Sequence, residues 1–519
     1  MTSKDTVTPV PSEDTAWDAV VVGAGFGGLA TALTLAEGGA KVLVCETLKY
    51  PGGCASTFEH KGFHFEAGAT LFSGFDEGQL FHRWIDRWDL DVEVVRLDPT
   101  VELRTPSWRL EIPPNREDFL ARVVELPGVP RERLLAFLGE QEQIADALWP
   151  VLDDPTLLPP LSFHNLFHHV RQLPKYLPLL RFLGRSLEPV MRRHGLDDCD
   201  SARVYLDALC QITLQGPHHA VEAPFALSAM DYYFRGTGHV RGGIGRLAWG
   251  LVDAIRRAGG EVRFTDRVRT IQPERGSFTV ETRHGRLKSR TVVANVLPTA
   301  LRQMVTNGEG GSPLEGHKDL DALDRGVRSG WGACMLYRVA PAPPGASSHA
   351  HHLELIQDPS APFIEGNHLF CSISGDCEGG QKNNRQDCRA PNGYRTMTVS
   401  THVELGPLLE LTPKQQGRRV AAIQQRMRDG LATLAPEWNE DVLFEATASP
   451  RTFERFTGRP GGFVGGIPRR AGLHGYRRAW PTPILPGLYM VGDSIFPGQS
   501  TLGVASGGVQ VARKILRDL

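Results

Sequence analysis

Residues 18–46 read Asp18-Ala-Val-Val-Val22, then Gly23-Ala-Gly-Phe-Gly-Gly28, then Leu29-Ala-Thr-Ala-Leu-Thr-Leu-Ala-Glu37, then Gly38-Gly-Ala-Lys41 and Val42-Leu-Val-Cys-Glu46. The order predicts a strand, a tight glycine turn, a helix over about 27–37 and a second strand. Gly23, Gly25 and Gly28 fill the three glycine slots of G-x-G-x-x-G. The first makes the turn, the second lets a pyrophosphate approach the backbone, and the third lets helix and strand pack closely. Phe26 and Gly27 open the helix, whose N-terminal N–H groups would face the phosphates. Gly38 and Gly39 end it. Glu46 closes the second strand, placed to accept hydrogen bonds from an adenosine ribose. Glycine-rich turns are common by themselves. Here an apolar strand precedes the turn, a helix follows, and an acid ends the next strand, which together predict a dinucleotide site.

A second glycine pair follows in Tyr50-Pro-Gly-Gly53, leading to Cys54-Ala-Ser-Thr57. This run resembles the one that follows the first βαβ unit in the FAD-binding amine oxidase and phytoene desaturase superfamily. The resemblance adds Gly52 and Gly53 to the candidate cofactor site. It also places Glu66 and Gly68 where that superfamily carries an acid and a glycine beside the flavin; the acid there is more often Asp.

The chain has 519 residues, 41% hydrophobic and 22% charged, with a formal net charge of −2. That length allows two or three domains, and the charge gives no field for nucleic acid. No apolar run reaches the length of a membrane-spanning helix. Residues 1–16 contain Asp5, Glu13 and Asp14 without an apolar core, so a disordered tail is expected rather than a signal or transit peptide. Eight cysteines are scattered with no C-x-x-C pair, the usage of a reducing compartment. Cys371, Cys377 and Cys388 with His349, His351 and His352 match no common zinc spacing, so no metal is expected and a polar loop is the plain reading. A cytoplasmic location is expected, with possible peripheral contact on the inner face of the membrane.

From about Asn115 to Gln215 the pattern is helical but interrupted by prolines. Leu173, Leu177, Leu180, Leu183, Leu187 and Val190 recur at steps of three and four, predicting one helix face that begins at Pro178 and stops before Gly195. Residues 164–194 carry Arg171, Lys175, Arg181, Arg185, Arg192 and Arg193 against Glu188 alone. An apolar stripe with a basic flank fits membrane-surface attachment; a helix packed on the core with a solvated basic face fits equally. Gly242-Gly243-Ile-Gly245 leads into a helix with Leu247, Leu251 and Ile255 on one face, and 261–268 reads as a strand. Thr291–Val296 reads as another. Residues 101–112 predict a hairpin. Short strand-like runs at 333–339, 352–356, 368–374 and 395–403 predict an antiparallel sheet able to wall a chamber. Residues 414–434 predict an amphipathic helix, and 442–447 a further strand.

Residues 487–508 read Gly487-Leu-Tyr-Met-Val-Gly-Asp493-Ser-Ile-Phe-Pro-Gly-Gln499-Ser-Thr-Leu-Gly-Val-Ala-Ser-Gly-Gly508. A strand ends at Gly492-Asp493, a loop carries Pro497, and a helix starts near Thr501 and Leu502. The small residues Gly503, Ala505, Ser506, Gly507 and Gly508 keep that helix slim, either to lie against a cofactor or to pack on a sheet. With Pro450-Arg-Thr-Phe453 and Gly465-Gly-Ile-Pro-Arg-Arg470, this motif resembles the carotenoid isomerases and their phytoene desaturase relatives, with retinol saturases also related. Phe496-Pro-Gly-Gln499 is the most specific piece.

The resemblance implies an α/β fold with a discontinuous Rossmann-like FAD-binding domain of the amine-oxidase type, from residues 17–100, 235–300 and 480–519. It implies an α+β substrate domain, from 101–234 and 301–479, built on an antiparallel sheet with helical cover. It further implies FAD held partly by the backbone of Val268 and by Asp493 at the ribityl chain. The substrate would be a long apolar polyene undergoing isomerisation or desaturation, or saturation in the retinol saturase manner. Only one glycine fingerprint follows a strand, so no separate NAD(P)H domain is expected, and electrons would pass through a quinone, oxygen or a redox protein. Amine oxidases share the FAD domain, and GDP-dissociation inhibitors share the fold without catalysis. No general base is evident.

Overall fold

The computed structural model describes residues 16–68, 71–307, 311–376, 381–382, 385–386 and 388–519; the expected tail, all but Ala16, and Cys377 lie outside them. Ala16 already belongs to the first strand, Ala16–Val22. That strand is all but continuously apolar, as parallel strands covered on both faces are. It pairs in parallel with Val42–Cys45 on one side, Val22 opposite Cys45, and with Gly285–Ala294 on the other. Glu261–Arg263 extends the sheet beyond Val42–Cys45, and Leu488–Met490 joins the end of Gly285–Ala294. An antiparallel meander, Val268–Glu274, Ser277–Thr282 and Gly285–Ala294, completes it. The helices Phe26–Glu37, Gly245–Arg257 and Thr501–Asp518 bury their apolar residues in one cluster on this sheet. Leu247, Leu251 and Ile255 are fully buried there.

Two sequence expectations are corrected here. The run 261–268 is not one strand. The chain leaves the sheet after Arg263, turns at Thr265 with φ 55°, and Val268 opens a strand at the opposite edge. The backbone N–H groups of Thr265 and Asp266 donate to the carbonyls of Leu48 and Glu46 across that turn. The strand read as 291–296 is longer and ends earlier, at Gly285–Ala294.

The second sheet has seven strands in the order Phe444–Ala448, Trp331–Pro341, Tyr394–Glu404, His368–Ile373, His351–Ile356, Val101–Arg104 and Arg109–Ile112. All neighbours are antiparallel except His351–Ile356 with Val101–Arg104. The helix Pro413–Leu434 covers one face through Ile423, Met427 and Leu431. His351, His352 and Cys371 are therefore sheet residues, not a polar loop. Among the described residues no three metal-ligating side chains cluster, no disulfide joins the cysteines, and no helix is long and apolar enough to cross a membrane.

The helical region also departs from its pattern. There is no single helix from Pro178. Phe163–Tyr176 is a helix, Leu177–Arg181 a tighter 3-10 turn, and Glu188–Arg193 a short helix after a break at Gly184. The stripe splits accordingly: Leu187 and Val190 are buried, whereas Leu173, Leu177 and Leu180 are exposed.

Candidate functional site

The strand-to-helix turn at Gly23–Gly28 is closed so tightly that a Cβ on Gly28 would lie 2.1 Å from the Gly23 carbonyl oxygen. The Gly52 N–H donates to the Ala24 carbonyl at 2.8 Å, stitching the second glycine pair to the first. Glu46 reaches the same turn. Its Oε2 accepts from the Ala24 N–H at 2.7 Å and its Oε1 from the Leu48 N–H at 2.8 Å. Burial pushes the Glu46 carboxyl above the usual range, and those backbone donors pull it back. Gly23, Gly25, Phe26, Gly27, Glu46, Gly52, Gly53, Gly68 and Val268 all line one cavity; Gly28 lies behind them and shapes the turn.

Glu66 does not line that cavity. It is 2% exposed and works as a clasp: its Oε2 accepts from Thr57 Oγ1 at 3.1 Å, its Oε1 from the Ile244 N–H at 3.2 Å, and Arg389 lies 3.3 Å away. Gly243 sits hard against it, since a Cβ there would come within 2.4 Å of both Glu66 Oε1 and Thr57 Oγ1. The Gly242–Gly245 run thus has a structural cause, the seating of a buried acid.

At the other end of the chain, Gly492, Asp493, Pro497, Thr501 and Leu502 line the same cavity. The Thr501–Asp518 helix begins there, and Ser500 caps it by accepting the Gly503 N–H at 2.9 Å. Ser500 does so at φ 77°, ψ 153°, a conformation that suits glycine and costs a serine about 1–3 kcal/mol. The unpaired N–H groups of the first turn give this end a partial positive charge. The slimness of the helix has a second cause as well. A Cβ on Gly508 would lie 2.4 Å from the Gly27 carbonyl, and Thr31 Oγ1 donates to the carbonyls of Gly27 and Gly508 at 2.7 and 3.2 Å. Of the small residues, Gly503 faces the cavity, while Gly508 serves contact with the Phe26–Glu37 helix.

The cavity has a volume of about 1320 Å³. Beyond the glycine turn it continues into a chamber lined by residues of the second sheet and of the helices Asp200–Thr213 and Ala223–Ala229. Phe225, Tyr232, Met335, Phe370, Phe453 and Val464 form its apolar walls. Gln499 ties the two ends together, its Nε2 donating to the Ile212 carbonyl at 2.5 Å. Arg469 lies over the Phe225 ring at 3.8 Å and near Phe496 at 5.3 Å, a cation–π placement. One corner is polar. His402 is held by Gln211 at 3.1 Å, and burial, reinforced by His368, pushes its pKa down to about 3, so its ring is neutral near pH 7. His368 Nε2 lies 2.7 Å from Glu354 Oε1.

Residues 21–88 match the NAD(P)-binding Rossmann-like domain family. The chain is 27% identical to the chloroplastic prolycopene isomerase of Arabidopsis thaliana, over 97% of this chain and 83% of that protein. The similarity to prolycopene isomerases thus runs over nearly the whole chain. The chain is also 27% identical to the human all-trans-retinol 13,14-reductase, over 47% of this chain and 40% of that protein. Among solved structures it shares the fold of cyclohexylamine oxidase from Brevibacterium oxydans IH-35A, with a TM-score of 0.60 at 16% identity, covering 97% and 99% of the two chains. The resemblance expected from the late motif holds, and the fold is that of the amine oxidases.

Three residues of the site went unread in the sequence. Asn295, one residue beyond its strand, packs its side chain between the turn and the late motif: a Cβ on Gly25 would lie 2.7 Å from its Nδ2, and one on Gly492 2.7 Å from its Oδ1. A polar residue ending an apolar strand was the available signal. Arg459 donates to both oxygens of Asp493, at 2.8 and 2.6 Å. Nothing local to Arg459 announces that partner. Ser500 could have been read as an N-cap ahead of Thr501.

Proposed function

We propose that this chain is an FAD-dependent oxidoreductase that isomerises, or desaturates, a long apolar polyene. The observation that carries the reading is the single cavity running from the Gly23–Gly28 turn and Glu46, past Asp493 and Thr501, into an apolar chamber. The donor set fits FAD. Backbone approach at Gly25 and Gly53 suits a pyrophosphate, the Glu46 carboxylate a ribose, and Val268 an adenine. The Ser494 Oγ, buried in the cavity wall, has no hydrogen-bond partner among the described residues. When bound, the flavin supplies electron transfer to or from the conjugated chain.

The protein's part is placement. Arg459 fixes the Asp493 carboxylate, the Thr501 helix end favours negative charge at its side of the cavity, and Met335, Phe370 and Phe225 keep water from the polyene. His402, neutral near pH 7, adds no charge to the chamber. No second nucleotide domain is proposed, so electrons enter or leave through a quinone, oxygen or a redox protein.

Incubation with a cis-polyene tests this by product mass, anaerobically with reduced flavin in one arm and with oxidised flavin and an added electron acceptor in the other. An unchanged mass with altered retention supports isomerisation, and loss of two hydrogens with a required acceptor supports desaturation. No product with any polyene, from a flavin-loaded protein, refutes the reading. The polar corner at His368, Thr401 and His402 favours a second reading, saturation of a polyene that carries a hydroxyl; a gain of two hydrogens would select it.

A further inference from the structure

The Phe163–Tyr176 helix is amphipathic in the reverse sense. Two of its polar side chains face the protein: Asn165 Nδ2 donates to the Thr156 carbonyl at 2.5 Å, and His169 bridges the Leu157 carbonyl at 2.8 Å and the Tyr176 hydroxyl at 3.0 Å. Its apolar side chains face out. Phe163 is 94% exposed, Leu166 51%, Phe167 60%, Val170 52% and Leu173 54%, and Leu177 and Leu180, each 62%, continue the line into the next turn. The spacing of three and four makes this one stripe. Seven large apolar side chains exposed in one line form a contiguous patch of the kind that meets a partner surface.

Its charges say which. The helix contains no acid. Arg181 and Arg193 are both paired with Glu140, and Arg192 with Glu188 and Asp197, so half of the basic flank is neutralised within the protein. Arg171, Lys175 and Arg185 are exposed, and no ion pair holds them among the described residues. Position adds a second argument. Asn165 and His169 anchor the helix on Thr156 and Leu157, shortly after the cavity-lining Leu152, and Leu473, 63% exposed, lies against Gly184 and follows the cavity-lining Gly472.

We propose that the Phe163–Leu180 stripe, with Leu473, lies in the head-group layer of an anionic bilayer and sets the adjoining end of the cavity against the lipid. The helix lies on the membrane rather than crossing it. The docking stands on exposure and charge. Delivery of substrate from the bilayer rests on the polyene reading above.

The test is co-sedimentation of the holoprotein with phosphatidylcholine vesicles, with and without phosphatidylserine, measured without substrate so that a failed polyene assay leaves it intact. The wild type should bind the anionic vesicles more tightly. The triple variant Phe163→Ser/Phe167→Ser/Leu177→Ser should lose at least about tenfold per side chain while keeping its flavin and its melting temperature. The variant Arg171→Gln/Lys175→Gln/Arg185→Gln should keep weak binding and lose the preference for phosphatidylserine, on the order of a hundredfold. A wild type that stays in solution with both vesicles overturns the proposal, as does equal binding of the triple variant. A wild-type dimer that the triple variant splits, with no vesicle binding, overturns it in favour of a second copy of the chain.

Discussion

The two ends of the cavity are built from different material. Around Gly23–Gly28 the wall is backbone, held by contacts such as a Gly28 position 2.1 Å from a carbonyl oxygen and a Gly52 N–H on Ala24. In the chamber the wall is side chain, Phe225, Met335, Phe370 and Val464. Backbone cannot be trimmed or repacked, so change at the first end should be all or none. Side chains can be exchanged for others of similar volume, so change at the second should be graded. Binding of the cofactor would therefore be held fixed while the substrate is left adjustable.

The largest effect should come from Gly28→Ala. One added carbon must displace the Gly23 carbonyl, so the expected outcome is colourless protein with a lower melting temperature. Gly139→Ala is the matched control. It lies inside the Arg131–Asp153 helix with nothing within 4 Å of the added carbon, and should stabilise by about 0.5–1 kcal/mol. A yellow, flavin-saturated Gly28→Ala protein would erase the distinction between the two ends.

This contrast also explains what could be read in advance. Glycine turns are legible because a positive φ or a close approach leaves no other residue, so the Gly23 turn, the Gly52 pair and the Gly492 strand end were visible one at a time. Their meeting in one cavity was expected only through the family resemblance, and Asn295, which lies against Gly25 and Gly492 from a position far from either in sequence, was not expected at all. The period in Leu173–Val190 was real, but period does not say which way a stripe faces. Leu187 and Val190 face the core while Leu173 and Leu177 face out, because the chain breaks at Gly184 between them.

Next in size is the ion pair between Arg459 and Asp493 in the cavity wall. Arg459→Met leaves the Asp493 carboxylate without its partner. Both side chains are about one-sixth exposed, so the loss should fall at the low end of about 3–5 kcal/mol, read by chemical denaturation, together with weaker flavin retention. Arg459→Lys should recover part of each. Full flavin affinity in Arg459→Met would show that Asp493 needs no holding.

The chamber has its own acid limit. His402 has its pKa lowered from 6.5 to about 3 by burial, so the unfolded chain binds a proton in that window that the folded chain refuses. Stability therefore falls as pH drops from about 6.5 toward 3, by about 2 kcal/mol at pH near 5 from this group. His402→Gln cannot titrate and should lose about that much less between pH near 7 and pH near 5. Glu66, whose carboxyl is raised by burial, runs the other way, being more favourable when protonated. Identical acid limbs in wild type and His402→Gln would place the ring in water rather than in the wall.

The smallest effect is the most specific to the graded end. Ala333 lies on the Trp331–Pro341 strand beside Met335, and both line the chamber. Ala333→Phe adds a ring to that wall and leaves the residues of the glycine turn, Glu46 and the Arg459–Asp493 pair unchanged. Flavin content and melting temperature should hold to within the cost of one overpacked side chain, about 1–3 kcal/mol. What should change is which polyene fits: kcat/KM for the longest chain should drop by about tenfold or more relative to a shorter one, the discrimination that a small change of shape supplies in an apolar pocket. A uniform fall for all lengths would mean that the ring disturbs the cofactor end instead. An unchanged length preference would mean that the polyene runs along another wall, and Phe225, on the Ala223–Ala229 helix, would be the next position to fill or empty.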